Sequence, residues 1–273
     1  MKILFFCPLW GSADLAVDTF MEKAKRCGYD GVEVSLPLED QPRREKILQA
    51  IKNQELAFIA QHYETAHPDP EQHLAEYCRR LENLAAAAPL LVNAQTGKDW
   101  FPFEQNRRLI VAAHAISEKW GVKILHETHR GKFSFSAGGT ARFLEADPAL
   151  RIAADFSHWC VVSESLLEDQ ADAVALAVSR ADHIHARVGH PEGPQISDPR
   201  APEWARALDA HLGWWDRIIE CHRQKGTAVL TITPEFGPAP YMPALPYTAM
   251  PVASQWDINV YMMDLLRERY GAG

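Results

Sequence analysis

The sequence predicts one domain of the α/β class, a (β/α)8 TIM barrel spanning residues 1–273. Three observations predict it. Short β-forming runs alternate with helical stretches eight times along the chain, the rhythm of a parallel sheet with helical crossovers. The length, 273 residues, is close to the roughly 250 of such a barrel. An open doubly wound sheet would carry a glycine-rich phosphate-binding turn after an early strand, and none occurs.

Residues 3–7 are a continuous apolar run, the mark of a strand buried on both faces. The run is too short for a signal peptide and Pro8 interrupts it. Val17, Phe20, Met21 and Ala24 then recur at helical spacing, with Gly28 as the stop. Residues 31–36 are the second strand and 43–54 the second helix. The third pair is 57–62 and about 70–88, the fourth 90–95 and 104–120. The fifth strand, 123–126, runs into Glu127 and precedes a helix near 139–145. The sixth, 152–154, ends at Asp155 and precedes a helix near 166–178. The seventh is 183–188, with a helix over 202–223. The eighth is 229–233, ending near Glu235, and a last helix covers about 254–269. The segments 189–200 and the proline-rich 237–252 are long loops after strands. They belong to the mouth where barrel active sites are built, and long ordered loops there often act as lids.

Composition narrows the function. The hydrophobic fraction of 47% and charged fraction of 23% describe a globular chain. No run of about 18 apolar residues suggests a membrane span. The formal net charge of −8 repels nucleic acid and anionic membranes. Five cysteines without a CxxC spacing suggest neither a disulfide framework nor a zinc knuckle, so a reducing cytoplasm is the expected compartment. A homo-oligomer is compatible with all of this.

Four ligand-type residues, Glu127, Asp155, His185 and Glu235, end four successive strands, and equivalent strand ends ring one mouth. Alternation supports convergence. His183, His185 and Arg187 share one face of the seventh strand, and Thr231, Thr233 and Glu235 one face of the eighth. Polar groups facing the barrel axis are costly unless they bind something. Three carboxylates and an imidazole suit one divalent metal ion, Mn2+ first, with Mg2+, Co2+, Zn2+ or Fe2+ as alternatives. Such an ion polarises a carbonyl and stabilises the enediolate formed when the neighbouring carbon loses a proton. His62 ends the third strand, Gln95 the fourth, and Trp10 lies in the first loop. These three are expected to line the pocket and bind substrate, Trp10 by stacking on a sugar face. Each also has a plainer reading as a packing residue.

Several motifs carry a family resemblance. Gly28-Tyr29-Asp30-Gly31-Val32-Glu33 resembles the helix-to-second-strand signature of the xylose isomerase-like barrels. His126-Glu127-Thr128 resembles their first metal-ligand motif, and Asp155-Phe156-Ser157-His158 their Asp-x-x-His. His183-Ile184-His185 resembles their His-x-His, and Thr233-Pro234-Glu235 the closing Glu motif. The resemblance covers nearly the whole chain. It implies a metal-dependent isomerase or epimerase acting on a small-molecule sugar or polyol, with Glu127 and Glu235 as acid and base on opposite sides of one carbon. It also implies that His158 and Arg187 hold substrate oxygens near the metal. A lyase on the same site, such as a keto-sugar or inosose dehydratase, begins with the same proton abstraction. An endonuclease fits less well, because the fourth strand offers Asn93 and Gln95 where those three-metal sites resemble histidine-rich ones. A non-catalytic carbohydrate-binding barrel would keep the pocket and dispense with the metal. The loop after the seventh strand, 186–195, departs from the epimerase pattern, which leaves the substrate open.

Overall fold

A computed structural model describes residues 1–271. Eight parallel strands close into a barrel in sequence order: β1 (Lys2–Pro8), β2 (Gly31–Val34), β3 (Ala57–His62), β4 (Val92–Ala94), β5 (Ile124–Glu127), β6 (Ile152–Ala154), β7 (Ala181–His185) and β8 (Val229–Thr233). Closure comes from β1 pairing with β8, Ile3 against Leu230 and Leu4 against Thr231. The helices among the described residues are α1 (Val17–Arg26), α2 (Gln41–Asn53), α3 (Pro70–Ala85), α4 (Phe103–Trp120), α5 (Ala137–Ala146), α6 (Ser157–Ser163), α7 (Ala171–Arg180), α8 (Ala205–Gln224) and α9 (Gln255–Tyr270).

Side chains alternate across each strand, so the sheet separates two apolar layers. Phe6, Ile59, Leu91, Leu125 and Ala153 fill the barrel floor. A larger set that includes Val32, Val34, Ile184, Val188, Leu230 and Ile232 packs between sheet and helices. Above the floor, the inward positions turn polar. Register fixes which residues meet there: Gln61 lies beside Asn93, and His185 beside Thr233. Helix starts follow ordinary capping chemistry. Asp69 accepts from the backbone N–H of Glu71 and Gln72 at the head of α3, and Ser254 from that of Asp257 at the head of α9.

Two expectations need correcting. The seventh strand ends at His185 rather than 188, so Arg187 stands on the segment beyond it. The helix expected over 166–178 is α7, which begins only at Ala171, and an additional short helix, α6, precedes it at Ser157–Ser163. The sequence of α6, Ser-His-Trp-Cys-Val-Val-Ser, lacks a 3.6-residue apolar period. Tertiary contacts hold it instead: Ser157, His158, Trp159 and Cys160 are all buried, and the Trp159 indole donates to the Ser134 carbonyl at 2.8 Å. This short helix lies directly after Asp155 and brings His158 to the barrel mouth.

Candidate metal centre

The chain brings together the four residues that end the late strands. Glu127 closes β5, Asp155 follows β6, His185 closes β7, and Glu235 lies just past β8. All four are buried, and one ligand atom from each lies within 4.8 Å of the others. Each carboxylate is held by neighbours. Asn93 Nδ2 donates to Glu127 Oε2 at 3.1 Å, and Gln95 Nε2 donates to Oε1 at 3.3 Å. Gln61 Nε2 donates to Glu235 Oε1 at 3.0 Å. Asp155 accepts from the Ser157 hydroxyl and from Arg187 Nη2. Arg187 Nη2 also donates to His158 Nε2 at 2.7 Å and lies 3.8 Å from Glu235 Oε2.

Three acidic groups this close repel one another. Burial, and then the charges of Glu235 and Asp155, push the Glu127 carboxyl up to about 8, although His185 and Arg187 pull the other way. Burial likewise raises Asp155, with Arg187 opposing. Burial disfavours a charged His185, yet Glu235 and Glu33 hold its imidazole well above the ordinary range. A divalent cation at the centre of this set would relieve the repulsion directly.

A specific atom tests the fit. His185 Nδ1 is buried with no hydrogen-bond partner. It lies 2.8 Å from Glu235 Oε2, but out of hydrogen-bonding geometry. An unpaired imidazole nitrogen among three carboxylates is a donor set that fits a divalent metal. Two other groups of His and acidic residues come close together among the described residues, Glu33–His183–His185 and Glu127–His129–His158. Neither suits an ion as well. The Glu33 oxygens already accept from Asn93, His185 and Thr233. In the second group, His158 Nε2 already accepts from Arg187 Nη2 at 2.7 Å, and His129 Nδ1 lies 2.6 Å from the Arg130 carbonyl.

The centre opens into a cavity of about 420 Å3 lined by residues that include Trp10, Glu33, Gln61, Gln95, Glu127, His129, Arg187, Glu235 and Tyr241. Trp10 and Tyr241 meet edge to face at 4.9 Å, and the Arg187 guanidinium lies 4.8 Å from the Tyr241 ring. Tyr241 comes from the proline-rich loop after β8, so that loop does reach the site.

His62 does not line the cavity. Its side chain lies on the helix-facing side of β3, where Nε2 meets Thr65 Oγ1 at 2.8 Å and the ring packs on Tyr77. The inward position belongs to the preceding residue, Gln61. Glu33, Gln61 and Asn93 were not singled out from the sequence as site residues, although all three touch the cluster. Two of the three carry a local signal: Glu33 alternates with Val32 and Val34, and Asn93 with Val92 and Ala94, each a lone polar residue among apolar neighbours.

Residues 21–221 match the family model described as the xylose isomerase-like TIM barrel. No curated protein matches the chain in sequence. Among solved structures, the probable 3-DHS dehydratase AsbF of Bacillus anthracis is 18% identical, with TM-score 0.59 over 98% of this chain and 100% of that one. A D-allulose 3-epimerase of a Methylomonas species, in complex with D-allulose, is 15% identical, with TM-score 0.64 over 98% of each chain. Endonuclease IV of Thermus thermophilus is 12% identical, with TM-score 0.57 over 100% of both chains. At these identities the likeness is one of fold.

Proposed function

We propose that this chain, which belongs to the xylose isomerase-like TIM barrel family, is a divalent-metal-dependent isomerase or epimerase of a small sugar or sugar-like ketone. One observation carries the reading: Glu127 and Glu235 line the same sugar-sized cavity and also belong to the buried four-donor cluster with Asp155 and His185. The donor set, three carboxylates and one imidazole, favours Mn2+ among the divalent ions. When bound, such an ion supplies Lewis-acid polarisation of a substrate carbonyl.

The remaining chemistry belongs to the protein. Glu127 closes β5 and Glu235 lies just past β8, three strands apart around the ring, and both line the cavity. One takes the proton from the carbon beside the carbonyl, and the other returns a proton to the opposite face, which inverts the centre. Gln61 and Gln95 hold these carboxylates by amide donation. Arg187, anchored on Asp155, offers its guanidinium to the substrate oxygens, and His158 lies against it. Trp10 and Tyr241 line the cavity and supply apolar faces to the substrate.

A lyase is the second reading, favoured by the fold shared with the probable 3-DHS dehydratase. Elimination starts with the same proton abstraction and differs in the fate of the intermediate. The experiment is elemental analysis for the metal, followed by a panel of keto-sugars and polyols incubated in D2O with Mn2+ and read by NMR. Deuterium at a carbon beside the carbonyl is the expected result, with an epimer or isomer as product; an α,β-unsaturated or deoxy product selects the lyase. Exchange retained in both Glu127→Gln and Glu235→Gln rejects the two-carboxylate mechanism.

A further inference from the structure

We infer that Glu33 is the positioning residue of this centre: its carboxylate accepts a hydrogen bond from the protonated Nε2 of His185 and thereby leaves Nδ1 as the nitrogen that holds the cation. The inference rests on the metal-dependent reading above and assigns a task to a residue outside the four ligands.

Hydrogen bookkeeping leads to it. Glu33 stands on β2, 1% exposed, across the barrel from His185 on β7. Its Oε1 lies 3.0 Å from His185 Nε2, and its Oε2 accepts from the Thr233 hydroxyl at 2.5 Å. Asn93 Nδ2 lies within reach of three groups: Glu33 Oε1 at 3.0 Å, Glu127 Oε2 at 3.1 Å and His185 Nε2 at 3.0 Å. An amide NH2 has two hydrogens, and Glu33 and Glu127, both carboxylates once a cation is bound, claim them. Flipping the amide would set its oxygen against both carboxylates, so its orientation is fixed. Asn93 has no hydrogen left for His185. Nε2 must therefore carry its own proton, and the acceptor facing it is Glu33.

The other nitrogen follows. With the proton on Nε2, a neutral His185 has its lone pair on Nδ1, the buried atom that has no hydrogen-bond partner. A carboxylate behind the imidazole also fixes the ring plane and raises the basicity of the ligating nitrogen. Asn93 links the same carboxylate to Glu127, so one amide sets the spacing between the positioning group and a ligand.

The test compares wild type with Glu33→Gln. Mn2+ titrated into metal-free protein by calorimetry should bind the variant about tenfold to a hundredfold more weakly, the usual effect of removing an outer-shell partner. The far-UV circular dichroism of the metal-free variant should match wild type, showing the barrel intact. A second measurement needs no variant: 15N-histidine NMR of the Zn2+-loaded wild type should find the His185 proton on Nε2, a signature that a merely structural Glu33 would not dictate. A proton on Nδ1, or equal Mn2+ affinity in wild type and variant, overturns this inference alone. A wild type that binds no divalent cation overturns the metal-dependent reading and this inference with it.

Discussion

Replacing Glu127 with Gln should stabilise the metal-free fold while abolishing its chemistry. Burial and two acidic neighbours lift the Glu127 carboxyl from an ordinary 4.5 to about 8. The sign follows from linkage. A raised carboxyl binds its proton more tightly in the folded state, so its favourable contribution is complete below pH 4.5 and is lost as pH rises through 8. At ~1.4 kcal/mol per pH unit, the metal-free wild type loses about 3 kcal/mol by pH 7 and on the order of 5 kcal/mol by pH 8. Glutamine keeps the shape and does not titrate, so Glu127→Gln escapes this loss. At ~2–4 °C per kcal/mol, its melting temperature should exceed that of wild type by about 10 °C or more at pH 8. At pH 4.5 the gap should nearly close. The assay is thermal unfolding in EDTA at pH 4.5, 6, 7 and 8, both proteins side by side. Added Mn2+ should reverse the order, because the wild type alone keeps the full ligand set. Parallel pH profiles, or a variant less stable at pH 8, would refute the claim that unrelieved carboxylate repulsion is stored at this site.

Three further outcomes follow from named contacts. Gln61→Ala removes the amide that holds Glu235 and should lower deuterium exchange by about tenfold or more, the equivalent of one hydrogen bond to a charged group. His62→Ala, one residue on, should leave exchange near wild type and destabilise the fold by about 1–3 kcal/mol, because it strands the buried Thr65 hydroxyl; reversed effects would mean that β3 faces the other way. Gly237→Ala would drive a Cβ into the Trp10 ring. It should cost about 1–3 kcal/mol and raise KM more than it lowers kcat, measured by melting and steady-state kinetics; an unchanged KM would show that Trp10 does not bound the substrate. On the acid side, burial holds His126 neutral in the fold down to about 3. The unfolded chain takes up that proton first, so stability present above pH 6.5 is lost as pH falls toward 3. His126→Gln should therefore lose about 2 kcal/mol less than wild type between pH 7 and pH 5 in urea titrations; equal losses would place that proton uptake elsewhere.

The barrel is legible in the sequence because its cues are local. Eight strand-length runs, helical periods between them and a ligand-type residue after each late strand can be read within short windows. In β7, the alternation of His183 and His185 with Ile184 marks the inward face without reference to the rest of the chain. β3 shows where local reading stops. Its residues Ala57, Phe58, Ile59 and Ala60 are apolar on both faces, because a parallel strand is covered by the barrel floor on one side and helices on the other. Nothing in that pattern says whether Gln61 or His62 points inward. Pairing decided it: Gln61 lies beside Asn93, and a shift of one residue would have exchanged the two faces. Glu33 is the same case at longer range. Strand period alone would have put it inside, but its partners Asn93, His185 and Thr233 come from three other strands. Only closure of the sheet brings β2 across from β7, so the hydrogen bonds that assign the two nitrogens of His185 exist only in the folded chain.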